Sequence, residues 1–181
     1  LDNKEKIETR NGIDQANFIL AYHVPLGNDK KSYAATVLNS LMAGGMSSRL
    51  FTEIREKRNL AYAVKGSTNI NKDFSYNIVY VGTEKKNIED VKKLILKEFE
   101  DVAKNLSEKE LQQIKDQLIG NYQIAQEDSQ NQMVNLLSHE LVGDAGEFYD
   151  FEKNISNVKL EDVKNLATIK NYSLFALVPS E

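Results

Sequence analysis

Arg55 and Tyr62 stand seven residues apart, the arginine on a segment with helical spacing and the tyrosine at the start of a run with strand character. A guanidinium offers a rigid fan of N–H donors, and a phenol adds one neutral O–H donor. Brought to one point, the two groups could grip a carbonyl oxygen or stabilise an oxyanion. Arg55 follows Phe51 by about one helical turn, so it borders the apolar stripe of its helix rather than facing open water. The same spacing has a plainer reading, a surface salt bridge between Arg55 and a nearby glutamate.

Other chemistry is sparse. The two histidines are His23 and His139. His139 is followed by Glu140, but no second imidazole lies one helical turn away, so neither His-Glu-x-x-His nor His-x-x-Glu-His is formed. His139 therefore reads as a partly buried or surface helical histidine and His23 as the end of a strand. No metal site and no cofactor are expected in this chain. Cysteine is absent, which excludes disulfides, thiol catalysis and cysteine-based zinc sites. Gly44-Gly45-Met46-Ser47-Ser48 precedes a helix, and free N–H groups at such a turn can hold an anion. No Lys-Ser/Thr pair or G-x-G-x-x-G accompanies the glycines, so a tight turn between two helices is the expected role.

The elements that must position these residues follow from periodicity. Residues 18–24 are β-branched and aromatic and close on Pro25 and Gly27, which predicts a strand and turn. Residues 30–42 carry apolar side chains at helical spacing and stop at Gly44-Gly45. Residues 47–57 predict a second helix, capped by Ser47 or Ser48 and buried through Leu50, Phe51 and Ile54. Residues 60–67 and 74–81 predict a hairpin around a polar turn. Residues 87–103 predict an amphipathic helix, and the capping box Ser107-Glu-Lys-Glu110 opens a long helix reaching as far as Gln132. Short helices are expected at 133–141, 148–158 and 160–167, and a closing strand at 172–178. This order predicts an α+β fold, a largely antiparallel sheet with helices packed on one face. Residues 1–14 are expected as an N-terminal extension or linker, and 15–181 as a single domain.

The chain has 181 residues and a formal net charge of −4, with lysine and arginine scattered among aspartate and glutamate. There is no basic stripe of the kind that binds nucleic acid, and no run of about 18 apolar residues that could span a membrane. The lack of cysteine fits a reducing compartment, and a cytoplasmic location is expected. The chain opens on Leu1 without a signal-peptide pattern, so a piece of a longer chain or a processed product is expected.

The stretch Leu41-Met-Ala-Gly-Gly-Met-Ser-Ser-Arg-Leu-Phe51, continuing Thr-Glu-Ile-Arg55-Glu-Lys-Arg-Asn-Leu60-Ala-Tyr62-Ala-Val64, closely resembles the C-terminal half-domain of pitrilysin-family peptidases. That family includes mitochondrial processing peptidase and many bacterial and archaeal zinc peptidases. Gln15-Ala16 before the first strand and Leu106-Ser-Glu-Lys-Glu-Leu111 are similar to the family's domain entry and long-helix opening, so the resemblance covers roughly residues 15 to 178. It implies a two-half enzyme enclosing a chamber. The N-terminal half binds zinc through an inverted His-x-x-Glu-His and a distant glutamate, the motif glutamate serving as general base. The C-terminal half supplies an arginine and a tyrosine that reach the substrate carbonyl and backbone, and Arg55 and Tyr62 match them in type and spacing. The resemblance also makes the Gly44-Gly45 loop a candidate guide for substrate. Two functions are thereby expected. One is the peptide-binding C-terminal domain of a zinc metalloendopeptidase, with zinc in an N-terminal partner half supplied in cis or in trans. The other is a non-catalytic, peptide-holding or assembly subunit of the same fold.

Overall fold

Alternation builds the centre of the sheet. In strand β2 (Ala16–His23), Ala16, Phe18, Leu20 and Tyr22 are buried, while Asn17, Ile19 and Ala21 between them are only half-buried. The computed structural model, which describes residues 3–180, places β2 in one sheet with β1 (Lys4–Arg10), β3 (Ala61–Asn69), β4 (Tyr76–Thr83) and β5 (Ser173–Pro179). The order is β1-β5-β2-β4-β3. The β2–β4, β2–β5 and β3–β4 pairings are antiparallel, and β1–β5 is parallel. The largely antiparallel α+β architecture is thus as expected. The opening residues depart from expectation: instead of forming only an extension or linker, Lys4–Arg10 is an edge strand in register with β5, from Lys4 opposite Ser173 to Arg10 opposite Pro179. All seven of its residues are exposed, so it lacks the buried alternation that would announce a strand.

Helix α1 (Ser32–Ala43) lies on the buried face, sinking Ala34, Ala35, Val37, Leu38, Leu41 and Met42 against the sheet. Burial of each large apolar side chain there contributes roughly 1.5–3 kcal/mol. Gly66 of β3 allows this close approach, since a Cβ there would lie 2.8 Å from the Asn39 side chain. Helix α2 (Ile88–Asn105) buries Ile88, Val91, Ile95, Phe99 and Val102, and Phe99 meets Tyr22 of the sheet edge-on at 5.3 Å. Helix α3 (Glu108–Ala125) starts at Ser107, whose side chain accepts the backbone N–H of Glu110, as the capping box predicts. It ends earlier than its apolar pattern suggested. Asp128 starts a separate helix, α4 (Ser129–Val142), by accepting the backbone N–H of Gln130 at 2.8 Å. Helices α5 (Phe151–Ser156) and α6 (Leu160–Ala167) complete the layer, with α6 packed on α1 and α2.

The expected helix at residues 47–57 forms in a different geometry. Phe51–Glu56 is a π-helix, in which Lys57 N–H reaches back five residues to the Thr52 carbonyl at 2.9 Å. Ser48 does not cap it by accepting an N–H; its hydroxyl donates to the Gly45 carbonyl at 2.7 Å.

Candidate functional site

The chain connecting Arg55 to Tyr62 is a tight, well-bonded reversal. Asn59 takes a left-handed conformation, φ 51°, which asparagine tolerates better than most residues. Its N–H bonds the Arg55 carbonyl at 3.0 Å, and Leu60 N–H bonds the Ile54 carbonyl at 2.9 Å. The Thr83 hydroxyl, at the end of β4, donates to the Leu60 carbonyl at 2.5 Å. Ile54 and Leu50 are fully buried beneath this turn. The π-helical segment packs directly on β3, so the two elements that carry Arg55 and Tyr62 are locked to one another.

Each of the two residues sits on a backbone irregularity. Arg55 lies within the π-helix. Tyr62 is the extra residue of a β-bulge: Ala61 pairs with Thr83 and Ala63 with Gly82, leaving Tyr62 without a partner across the ladder. Being on β3, Tyr62 also lies on an edge strand of the sheet. The bulge turns its ring outward, and Tyr62 is 57% exposed.

Arg55 is exposed as well, and its guanidinium rests 5.0 Å over the ring centre of Phe51. Among the described residues it makes no ion pair. Glu53, the neighbouring carboxylate that could have taken it, is instead occupied by Lys57 and Arg58. The Tyr62 hydroxyl donates to Glu84 at 3.3 Å, and Glu84 is held below the usual carboxylate range, first by its hydrogen bond from Lys86. Glu84 was not legible as part of this site. Its signal was the register alone, since it follows the strand end that pairs beside Tyr62. Arg55 and Tyr62 do not bond each other.

The neighbouring motif residues divide differently. Arg49 is tied down: it grips Glu110 with two hydrogen bonds of 2.7 Å and Asp101 with one of 2.5 Å. Gly44 and Gly45 form the exposed turn after α1. A Cβ on Gly44 would lie 2.6 Å from the Ser40 backbone, and Gly45 has φ 150°, a conformation that side-chain-bearing residues rarely adopt.

Two clefts of the described residues lie away from the pair. One, about 500 Å³, lies on the Arg49 side and is lined by Thr52, Lys57, Lys97 and Glu98 among others. The other, about 650 Å³, lies between the start of α1, the end of β3 and α4, and includes His139. Burial pulls the His139 imidazole below its usual pKa, so it favours the neutral form. Among the described residues no three His, Cys, Asp or Glu side chains gather where they could hold a metal ion. Arg55 and Tyr62 both stand exposed at the β3 edge of the sheet.

The fold is a five-stranded sheet in the order β1-β5-β2-β4-β3 with helices on one face, and Arg55 and Tyr62 stand at its β3 edge. The chain belongs to the Peptidase M16 inactive domain family, whose model matches residues 2–118. It is similar to an uncharacterised zinc protease of Streptomyces coelicolor, 35% identical over 85% of this chain and 34% of that protein. Among solved structures it is similar to a protease from Helicobacter pylori, with a TM-score of 0.87 at 22% identity over 98% of this chain and 45% of that one. A peptidase M16 inactive domain from Pseudomonas fluorescens gives a TM-score of 0.80 at 21% identity, over 99% of this chain and 44% of that one. The chain thus spans less than half the length of these proteins.

Proposed function

We propose that this chain is the peptide-holding half of a zinc metalloendopeptidase, and that Arg55 and Tyr62 position the scissile peptide. The observation that carries this reading is the pair of backbone irregularities, a π-helix under Arg55 and a β-bulge under Tyr62, on either side of one rigid turn. Such features recur where a side chain must be aimed away from a regular element. They hold two hydrogen-bond donors exposed, one of them without an ion pair among the described residues.

Zinc in a partner N-terminal half, in cis or in trans, would supply the Lewis-acid and water-activating chemistry. This chain's residues do the rest. The Arg55 guanidinium donates to a carbonyl oxygen of the bound peptide, where negative charge develops. The Tyr62 phenol leaves Glu84, a weak partner at 3.3 Å, and donates to the same peptide. The exposed Gly44-Gly45 turn, free of side chains, lets a substrate backbone approach closely. No helix of the described residues is long and apolar enough to cross a membrane; a cytoplasmic location is part of this proposal.

The test is Tyr62→Phe in the full-length protein, with zinc content and peptide turnover both measured. Zinc content should hold, and turnover should fall by a hundredfold or more, about 2.7–4 kcal/mol. Unchanged turnover would remove Tyr62 from the reaction. A partner half without His-x-x-Glu-His would instead make this chain a non-catalytic peptide-holding or assembly subunit.

A further inference from the structure

Helix α4 presents its apolar side outward. Met133, Leu137 and Leu141 recur every four residues along one face with Val134 beside them, and they are 62, 59, 70 and 51% exposed respectively. Ile124, at the last turn of α3, is 70% exposed. No residue of α4 is buried, and its main contact is the short turn Ala145–Phe148 that follows it. A helix of this length gains little from propensity alone and depends on an apolar face being covered.

Charge says what kind of surface covers it. Residues 116–152 contain eight carboxylates and no lysine or arginine. Of those nearest the stripe, Glu147 is paired with Lys30, but Glu127, Asp128, Glu140 and Asp144 make no ion pair among the described residues. A second copy meeting this face symmetrically would bring those carboxylates against one another, which costs free energy. A surface with apolar side chains framed by lysine or arginine fits instead. The chain length to carry such a surface exists in relatives, since the matched stretch is only 34% of the Streptomyces relative.

We propose that α4 is the docking helix for the other half of the full-length protein, with Met133, Leu137 and Leu141 seated on an apolar patch and the unpaired carboxylates meeting basic side chains at its rim. This deepens the two-half reading above and rests on it for the existence of that half.

The experiment places the photo-reactive p-benzoylphenylalanine in the full-length protein at Leu137, at Leu141 and, as a control, at the exposed Glu100 of α2. All three sites are exposed, so the core is not disturbed. Irradiation of the first two should link α4 to the other half within one molecule, mapped by mass spectrometry, and the control should not. A cross-linked pair of identical chains, or no product at either α4 position, overturns the proposal. Peptide turnover measured on the same unirradiated samples separates the two readings. A cross-link without turnover sinks only the catalytic reading, and turnover without a cross-link sinks only the docking.

Discussion

Arg49 and Arg55 are the same residue type on the same short segment, six positions apart, and the fold treats them in opposite ways. Arg49 points into the helical layer, where Glu110 takes it with a two-pronged grip and Asp101 adds a third bond. Its guanidinium is held more firmly protonated than usual, chiefly by Glu110. Glu98, 3.6 Å away and without a hydrogen bond to Arg49, is a weaker partner, and burial raises its pKa against the attraction of Arg49. Arg55 points away from that layer and rests on the face of Phe51, with its donors open. A saturated guanidinium joins α2 and α3 to the turn, and the other keeps its donors open on the surface. What separates structure from function in this segment is the set of carboxylates each side chain reaches.

The sharpest way to break that contrast is Arg55→Ala in the full-length protein. Peptide turnover should drop by a hundredfold or more, about 2.7–4 kcal/mol of lost transition-state stabilisation. Melting should show a stability change within about 0.5 kcal/mol, as for a surface position. A large loss of stability with turnover intact would reverse the roles of the two arginines.

Arg49→Ala should do the converse. Losing hydrogen bonds to charged partners costs about 1.5–3 kcal/mol, and the lower end applies because Arg49 keeps some exposure to water. Denaturant titration reads this cost, and turnover per folded molecule should be unchanged.

A smaller effect sharpens the comparison through pH. Asp101 is held below the usual carboxylate range, first by Asn105 and then by Arg49. A depressed folded pKa means that its stabilisation is present above the unfolded value, near 4, and is lost as the pH falls through the folded value. The stability gap between the native protein and Arg49→Ala should therefore narrow below about pH 4. A gap that stays constant into acid would take Asp101 out of the clamp.

The strands of the central sheet and helices α1, α2 and α6 were legible because each buries one face, and burial imposes a period of two or 3.6 on the residues. Edge strand β1 was hidden for the same reason, being exposed on every residue. The boundary between α3 and α4 was missed because the apolar positions run on past it; Asp128, a single capping side chain, decides it. Arg55 and Tyr62 stood out by type and spacing, but nothing in the spacing foretold the π-helix or the bulge beneath them. Those depend on the strand register opposite Tyr62 and on the buried Leu50 and Ile54 under the turn.

The order of chemical groups along the chain, and the alternation that separates inside from outside, are properties of the sequence, because local geometry converts spacing directly into faces. Which of two arginines is spent on carboxylates and which is left open is a matter of residues about fifty to sixty positions away, at Asp101 and Glu110. Only the packing of α2 and α3 against the turn brings those carboxylates to Arg49 and leaves Arg55 its donors, since a charge selects its partner by distance in space.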